Sequence, residues 1–308
     1  MKNISSKALL SGSLALLCIT AHQTAFPYKS IANGLLHSAC PDSGTTGSIG
    51  ECYGTPSQYK VTFYEIGLCT DDPLTSTTSP SDYNLKYANT DYAIDQSSCV
   101  QLFASTTGNT LDLANQQSFD LAATNLDIED GSYAYSYMKV SSLVSIKAKH
   151  KYGSDAFCST STGGENNSTG NSSNINYQFP FPNDCTPEVV SHATIDFRGS
   201  AGECSGWRDE MAYVVDLDSG KLKQILATES ALTSSGVYSG ANSCTSDNTI
   251  IFMSFKPTSP LIINTQTTGL DIQFTVTKRG VVINECGGVA NSVCSFTQGV
   301  FSPEISTY

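Results

Sequence analysis

The sequence predicts an all-β protein built as an antiparallel β-sandwich, one large or two consecutive, stapled by disulfides and with little helix after its leader. Three observations predict it. Apolar residues recur at every second position in short runs, clusters of Gly, Ser and Asn punctuate those runs, and no long stretch repeats at helical spacing. A strand with one dry face must cover it with another layer, so sheets packed face to face follow from the pattern.

Taken in chain order, Lys2 and Lys7 precede an apolar run at residues 8–21, the basic head and short greasy centre of a secretory signal peptide spanning residues 1–25. The run is too short, and too interrupted by Ser and Gly, to serve as a membrane anchor. Residues 26–58 form a polar, Gly-rich N-terminal arm, in which Cys40 and Cys52 bracket a Gly-rich turn and staple it locally. A first β lobe occupies 59–158. Its strands lie at 59–68, at 133–140, and where Val144, Ile146, Ala148, His150 and Tyr152 alternate with Ser145, Lys147, Lys149 and Lys151. Residues 111–126 are the one stretch where a short helix competes with strand or loop. Residues 159–176 have no apolar residue before Ile175 and read as a Gly/Ser/Asn-rich loop or linker, a candidate boundary. Asn-x-Ser/Thr triplets at Asn166, Asn167 and Asn171 lie in this tract, where its composition alone produces them readily. A second β lobe fills 177–308, with strands at 193–197, 211–217, 221–226, 250–255, 261–265, 270–276 and 281–284, and a hairpin turn at Asp218, Ser219 and Gly220.

Loss of the leader removes Cys18 and leaves ten cysteines, an even number: Cys40, Cys52, Cys69, Cys99, Cys158, Cys185, Cys204, Cys244, Cys286 and Cys294. None forms a CxxC or a Cys/His pair of zinc spacing, so disulfides are expected and no metal or other cofactor is. Pairing of nearest neighbours is the simplest connectivity. Disulfides place the protein in an oxidising compartment: secreted, periplasmic or cell-surface. No transmembrane segment is expected once the leader is gone.

Sixteen basic residues against 28 acidic ones give a net charge of -12, which repels nucleic acid and anionic membranes. The charge is unevenly spread. Residues 65–130 hold eleven acids and one base, whereas 131–154 hold four lysines and no acid. Such patches either steer copies of the chain head to tail, with the lysine-lined strand at a sheet edge, or neutralise each other between neighbouring strands; the second is the plainer account.

No Gly-x-Ser-x-Gly, His-Glu-x-x-His, P-loop or Gly-x-Gly-x-x-Gly motif occurs. His37, His150 and His192 are the only histidines after the leader that a triad could use, and His150 lies on the dry face of a strand. The densest polar constellation is Asp196, Arg198, Glu203, Arg208, Asp209 and Glu210 around Cys204 and the single tryptophan, Trp207. Glu203, Asp209 and Glu210 beside Trp207 are the carboxylates and aromatic floor that a glycosidase needs; the plainer reading is a disulfide-pinned loop. Asp216, Asp218 and Gly220 open like a calcium loop, but Ala227 stands where the twelfth-position carboxylate belongs. Tyr133, Tyr135 and Tyr137 alternate in one strand. Exposed, they form a ladder that stacks on sugar rings or a partner; turned inward, they are core.

These features together lead to the expectation of a secreted or cell-surface protein with a non-catalytic structural or interaction role, a subunit of an extracellular assembly. Its partners would be itself, other surface proteins or glycans. A carbohydrate-binding module or adhesin is the alternative, resting on the tyrosines and Trp207, and an extracellular glycoside hydrolase comes third.

Overall fold

The computed structural model describes residues 28–29, 36–40, 52–76, 91–122, 128–152, 155–159, 181–182, 185–193, 212–217, 219–227, 236–239, 250–284 and 295–308. They are almost entirely strand. In chain order the strands are β1 (Tyr28–Lys29), β2 (Leu36–Ala39), β3 (Cys52–Gly54), β4 (Gln58–Cys69), β5 (Leu74–Ser76), β6 (Asp91–Ile94), β7 (Cys99–Asp112) and β8 (Phe119–Ala122). There follow β9 (Gly131–Tyr133), β10 (Tyr135–Lys147), β11 (Lys149–Tyr152), β12 (Asp155–Cys158), β13 (Phe181–Pro182), β14 (Val190–Ala193), β15 (Ala212–Leu217) and β16 (Gly220–Ala227). The last are β17 (Gly236–Ser239), β18 (Ile250–Pro257), β19 (Leu261–Ile263), β20 (Gly269–Thr275), β21 (Val281–Asn284), β22 (Ser295–Gln298) and β23 (Ser302–Thr307). Where a helix competed, at 111–126, the chain instead ends β7, makes one 3-10 turn at Leu113–Asn115 and enters β8. Gln116 closes that turn in the left-handed region, and Asp112 organises it by accepting from Tyr59 N–H (3.0 Å) and from Asn115 Nδ2 (2.8 Å). No helix among the described residues is long and apolar enough to cross a membrane.

The largest sheet has seven strands in the order β15-β16-β18-β10-β4-β7, with β14 also paired to β10. Its strands come from both sides of residues 159–176, so that tract, of which 160–176 lie outside the described residues, does not divide two separate sheets. Of the lysines at 131–154, Lys149 and Lys151 lie in β11, an outer strand of the sheet β11-β12-β13, whereas Lys139 and Lys147 lie in β10, which is not a sheet edge. Strand β10 pairs with β4 along one side, and on the other with β18 over residues 136–141 and β14 over 143–146. The N-terminal arm is likewise woven in, since β3 pairs with β21 and Tyr53 is buried.

Alternation sets what each face buries, and one bulge resets it. Tyr59, Val61 and Phe63 of β4 point into the main core; then Lys139 and Val140 of β10 pair with Glu65 and Phe63, leaving Tyr64 as an extra residue. Beyond it the parity flips, so Ile66 and Leu68 take over the core positions and Cys69 turns to the opposite face. Against the main-core face lies the sheet β23-β20-β8, whose Leu270, Ile272 and Phe274 are buried as the alternation at 270–276 predicts. Phe63 is the hub, with ring centroids 4.8 Å from Phe274, 5.3 Å from Phe119 and 6.1 Å from Phe301. Tyr59 Oη donates to Gly299 O at 2.8 Å and ties the first long strand to the C-terminal segment. Between β15 and β16, Leu217 pairs with Gly220; Gly220 has φ +152°, and a Cβ there would sit 2.1 Å from Lys256 O, so only glycine fits.

Among the described residues three disulfides join sequence neighbours: Cys40–Cys52, Cys69–Cys99 and Cys158–Cys185. Each contributes about 2–4 kcal/mol by restricting the unfolded chain. Cys204, Cys244, Cys286 and Cys294 lie outside the described residues. Replacing the hub should be severe: Phe63→Ala is expected to lower stability by about 3–5 kcal/mol in equilibrium urea unfolding without reductant, because the cavity cannot collapse between two sheets.

Candidate functional site

The opposite face of the large sheet carries the unusual chemistry. Pleating brings Lys221, Lys223 and Ile225 of β16, Phe252, Ser254 and Lys256 of β18, Tyr135, Tyr137 and Lys139 of β10, and Glu65, Gly67 and Cys69 of β4 to this side. One register row runs straight across five strands: Lys223, Ser254, Tyr137, Gly67 and Gln101. The face is not open. Leu74 of β5 and Ile94 of β6 pack on Cys69, Tyr137, Ile225, Ile250 and Phe252 to form a second, smaller apolar cluster.

Under this cover sits a buried ionic pin. Lys223 Nζ donates to Asp72 Oδ2 and to Leu74 O. Asp72 Oδ1 accepts from Ser254 Oγ at 2.9 Å and from Leu74 N–H at 3.1 Å. The Lys223 side chain is 1% exposed and that of Asp72 13%, so both charges stand largely out of water. Burial holds the Lys223 ammonium below the usual lysine range, and the Asp72 carboxylate opposes that shift. A second pair, Lys139 with Glu65 at 3.5 Å, lies on the same face. Lys139 with Glu65 joins the lysine stretch 131–154 to the acidic stretch 65–130 across neighbouring strands, whereas Asp72 takes a lysine from outside that stretch.

Tyr137 fills the middle of the row. Its ring lies over Gly67, where a Cβ would approach to 2.2 Å, and stacks on Phe252 with centroids 5.9 Å apart. Burial first, and the Glu65 charge second, push its phenol up to about 12, against the opposing effect of hydrogen bonds with Gln101 and Gln96. Tyr135 is half-buried at the margin, with Lys256 Nζ 5.6 Å from its ring centroid. Tyr133 belongs elsewhere: it packs in the main core and its hydroxyl donates to Glu129 O at 2.9 Å. The chain breaks strand at Ala134, between β9 and β10, so the three tyrosines serve two cores and form no continuous exposed ladder.

Trp207, Glu203, Asp209 and Glu210 lie outside the described residues, as does Asp218 of the calcium-like turn. Among the described residues no group of three or more His, Cys, Asp or Glu is placed to hold a metal ion. His150 is buried on β11, as its alternation predicts, opposite Phe157, and its Nε2 has no hydrogen-bond partner. Lys223, Asp72 and Ser254 are the residues that sequence reasoning missed. Lys221 and Lys223 alternate with Leu222 and Gln224, and nothing local marks the second lysine as interior. As a general base Lys223 would need a free lone pair and access to substrate. Here it donates to two acceptors in a closed site, where it pins the segment after β4 onto the sheet.

The pin is asymmetric, since its lysine is the more deeply buried member. Asp72→Ala, which strands a buried ammonium, is expected to cost about 3–5 kcal/mol in urea unfolding and Lys223→Met distinctly less. Burial lowers the pKa of His150 from its ordinary value. The unfolded chain therefore binds this proton first as the medium is acidified. The stability from a neutral His150 is full above the ordinary imidazole pKa of about 6.5 and declines as pH falls from there toward the lower folded value. His150→Leu should flatten that acid-side decline when urea midpoints are compared between about pH 7.5 and 5. Comparisons with protein-family models, with curated proteins and with solved structures find no match to this chain.

Proposed function

We propose that the chain is an exported β-protein of the cell surface or extracellular space, with a structural or interaction role and no catalysis, and that it serves as a subunit of an extracellular assembly. The observation that carries this reading is the set of three intrachain disulfides. Such bonds persist in oxidising compartments and are reduced in the cytosol, which agrees with a leader at residues 1–25. Support also comes from how polar groups are used. Lys223, Asp72, Ser254, Lys139 and Glu65 are engaged with one another, as the partners of a scaffold are, and Tyr133 and Tyr137 are committed to packing. A glycan-binding reading therefore draws nothing from those two tyrosines.

Two measurements on the exported protein test this. Alkylation without reductant should leave its cysteines unmodified, and free thiols on a chain that still carries Met1 would overturn export. Size-exclusion chromatography with negative-stain imaging should show species that grow with concentration; a monomer at every concentration would overturn assembly.

A further inference from the structure

We propose that Lys223 and Asp72 become joined by an intramolecular amide, a covalent cross-link between β16 and the segment that follows β4. The inference goes beyond the surface role and does not depend on it. Four features of the site carry it. The amine and carboxylate are in direct contact, and the lysine is enclosed beside the cluster of Tyr137, Phe252 and Ile225. Ser254 Oγ–H and Leu74 N–H both donate to Asp72 Oδ1, and Leu74 O accepts from Lys223 Nζ.

The chemistry balances within the pair. A proton passes from the Lys223 ammonium to Asp72 Oδ2, leaving a neutral amine beside a carboxylic acid, the forms that a water-poor site prefers. The nitrogen lone pair attacks Asp72 Cγ. Charge then develops on Oδ1, where the Ser254 hydroxyl and the Leu74 amide already point. Oδ2 departs with its proton and a second one from nitrogen. One C–N bond forms, one C–O bond breaks and one water leaves, with no oxidant, reductant or co-reactant. Fixed contact makes the step intramolecular, which supplies a large part of what drives such a condensation.

The product fits the site better than the reactants do. The new amide has one donor and one acceptor. Its N–H inherits Leu74 O, and its carbonyl oxygen, the former Oδ1, keeps Ser254 and Leu74 N–H. Two partly desolvated charges are replaced by a neutral, fully hydrogen-bonded group, so the penalty for holding ions out of water disappears. The link also does what the described disulfides do not. They span sequence separations of 12, 30 and 27 residues, whereas Lys223 and Asp72 are 151 apart. It would tie early strands to late ones and survive reduction.

The test uses the full exported chain, reduced, alkylated and digested with trypsin. An amide blocks cleavage after Lys223. The expected result is the Asp72 peptide, residues 61–86, recovered joined to the peptide that begins at Leu222, their summed mass short by one water. The intact reduced chain should show the same deficit, and Lys223→Met should abolish it. Ser254→Ala should leave a smaller fraction linked. Recovery of peptide 61–86 alone, with cleavage after Lys223 and the full coded mass in the wild-type chain, would overturn the proposal whether or not any variant folds. Disulfides and assembly unchanged in that case would leave the surface role standing.

Discussion

Where a sheet is covered on both faces its polar residues cannot all be consigned to a wet side, and this constraint governs the middle of the large sheet. The large sheet packs one face on Phe274 and its neighbours, and the other beneath Leu74 and Ile94. Pleating still sends alternate side chains to each face. On the second face those side chains include lysines, a serine, a glutamate and tyrosines, and every one taken out of water must find a partner there. The Asp72 carboxylate, brought over by the chain as it leaves β4, gives Lys223 its counter-charge and Ser254 its acceptor at once. The small sheet β17-β6-β5 begins directly after that contact, so the ionic pin and the cover over the second face form one arrangement.

Three devices reconcile that arrangement with the strand register. Tyr64, the extra residue in β4, lets the strand present Tyr59, Val61 and Phe63 and then Ile66 and Leu68 to the same core, although their spacing breaks the alternation. Gly67 opens the space that the Tyr137 ring occupies one strand away, an aromatic ring covering a glycine that would otherwise weaken a central strand. Cys69–Cys99 then locks β4 to β7 at the end of the same row of pairs, beside the chain's turn toward Asp72. All three lie within residues 64–69. A short stretch of β4 thus sets which face each later residue serves.

The functional reading follows from how the reactive groups are spent. A catalytic carboxylate or amine is held where substrate can reach it, with its pKa tuned toward proton transfer. Asp72, Glu65, Lys139 and Lys223 are instead matched in pairs across neighbouring segments, and Asp112 accepts a strand amide and caps a turn. Local disulfides and buried ion pairs support the proposed reading of a scaffold in an oxidising medium.

Strand alternation and cysteine pairing are local properties, and both were legible. The runs at 59–68, 250–255 and 270–276 announce β4, β18 and β20, and the three described bridges join the nearest cysteines in sequence. The hairpin at Ser219 and Gly220 is legible for the same reason, since turn chemistry lies in adjacent residues. Strands β7 and β23 escaped notice because each borders its sheet, where Ser, Thr, Asn and Gln are tolerated and the dry-wet contrast fades. The alternating run at 144–152 read as one lysine-lined edge strand, yet it divides between central β10 and β11, whose Lys149 and Lys151 do border a sheet, because which segments pair with each half is decided tens of residues away. By itself, then, the sequence determined the class of element and the local staples, through spacings of two residues and short loops. Only the tertiary structure decided that Lys223 is interior, that Tyr133 and Tyr137 serve different cores and that part of the sheet's second face is covered, because burial depends on which distant segment comes to lie on top.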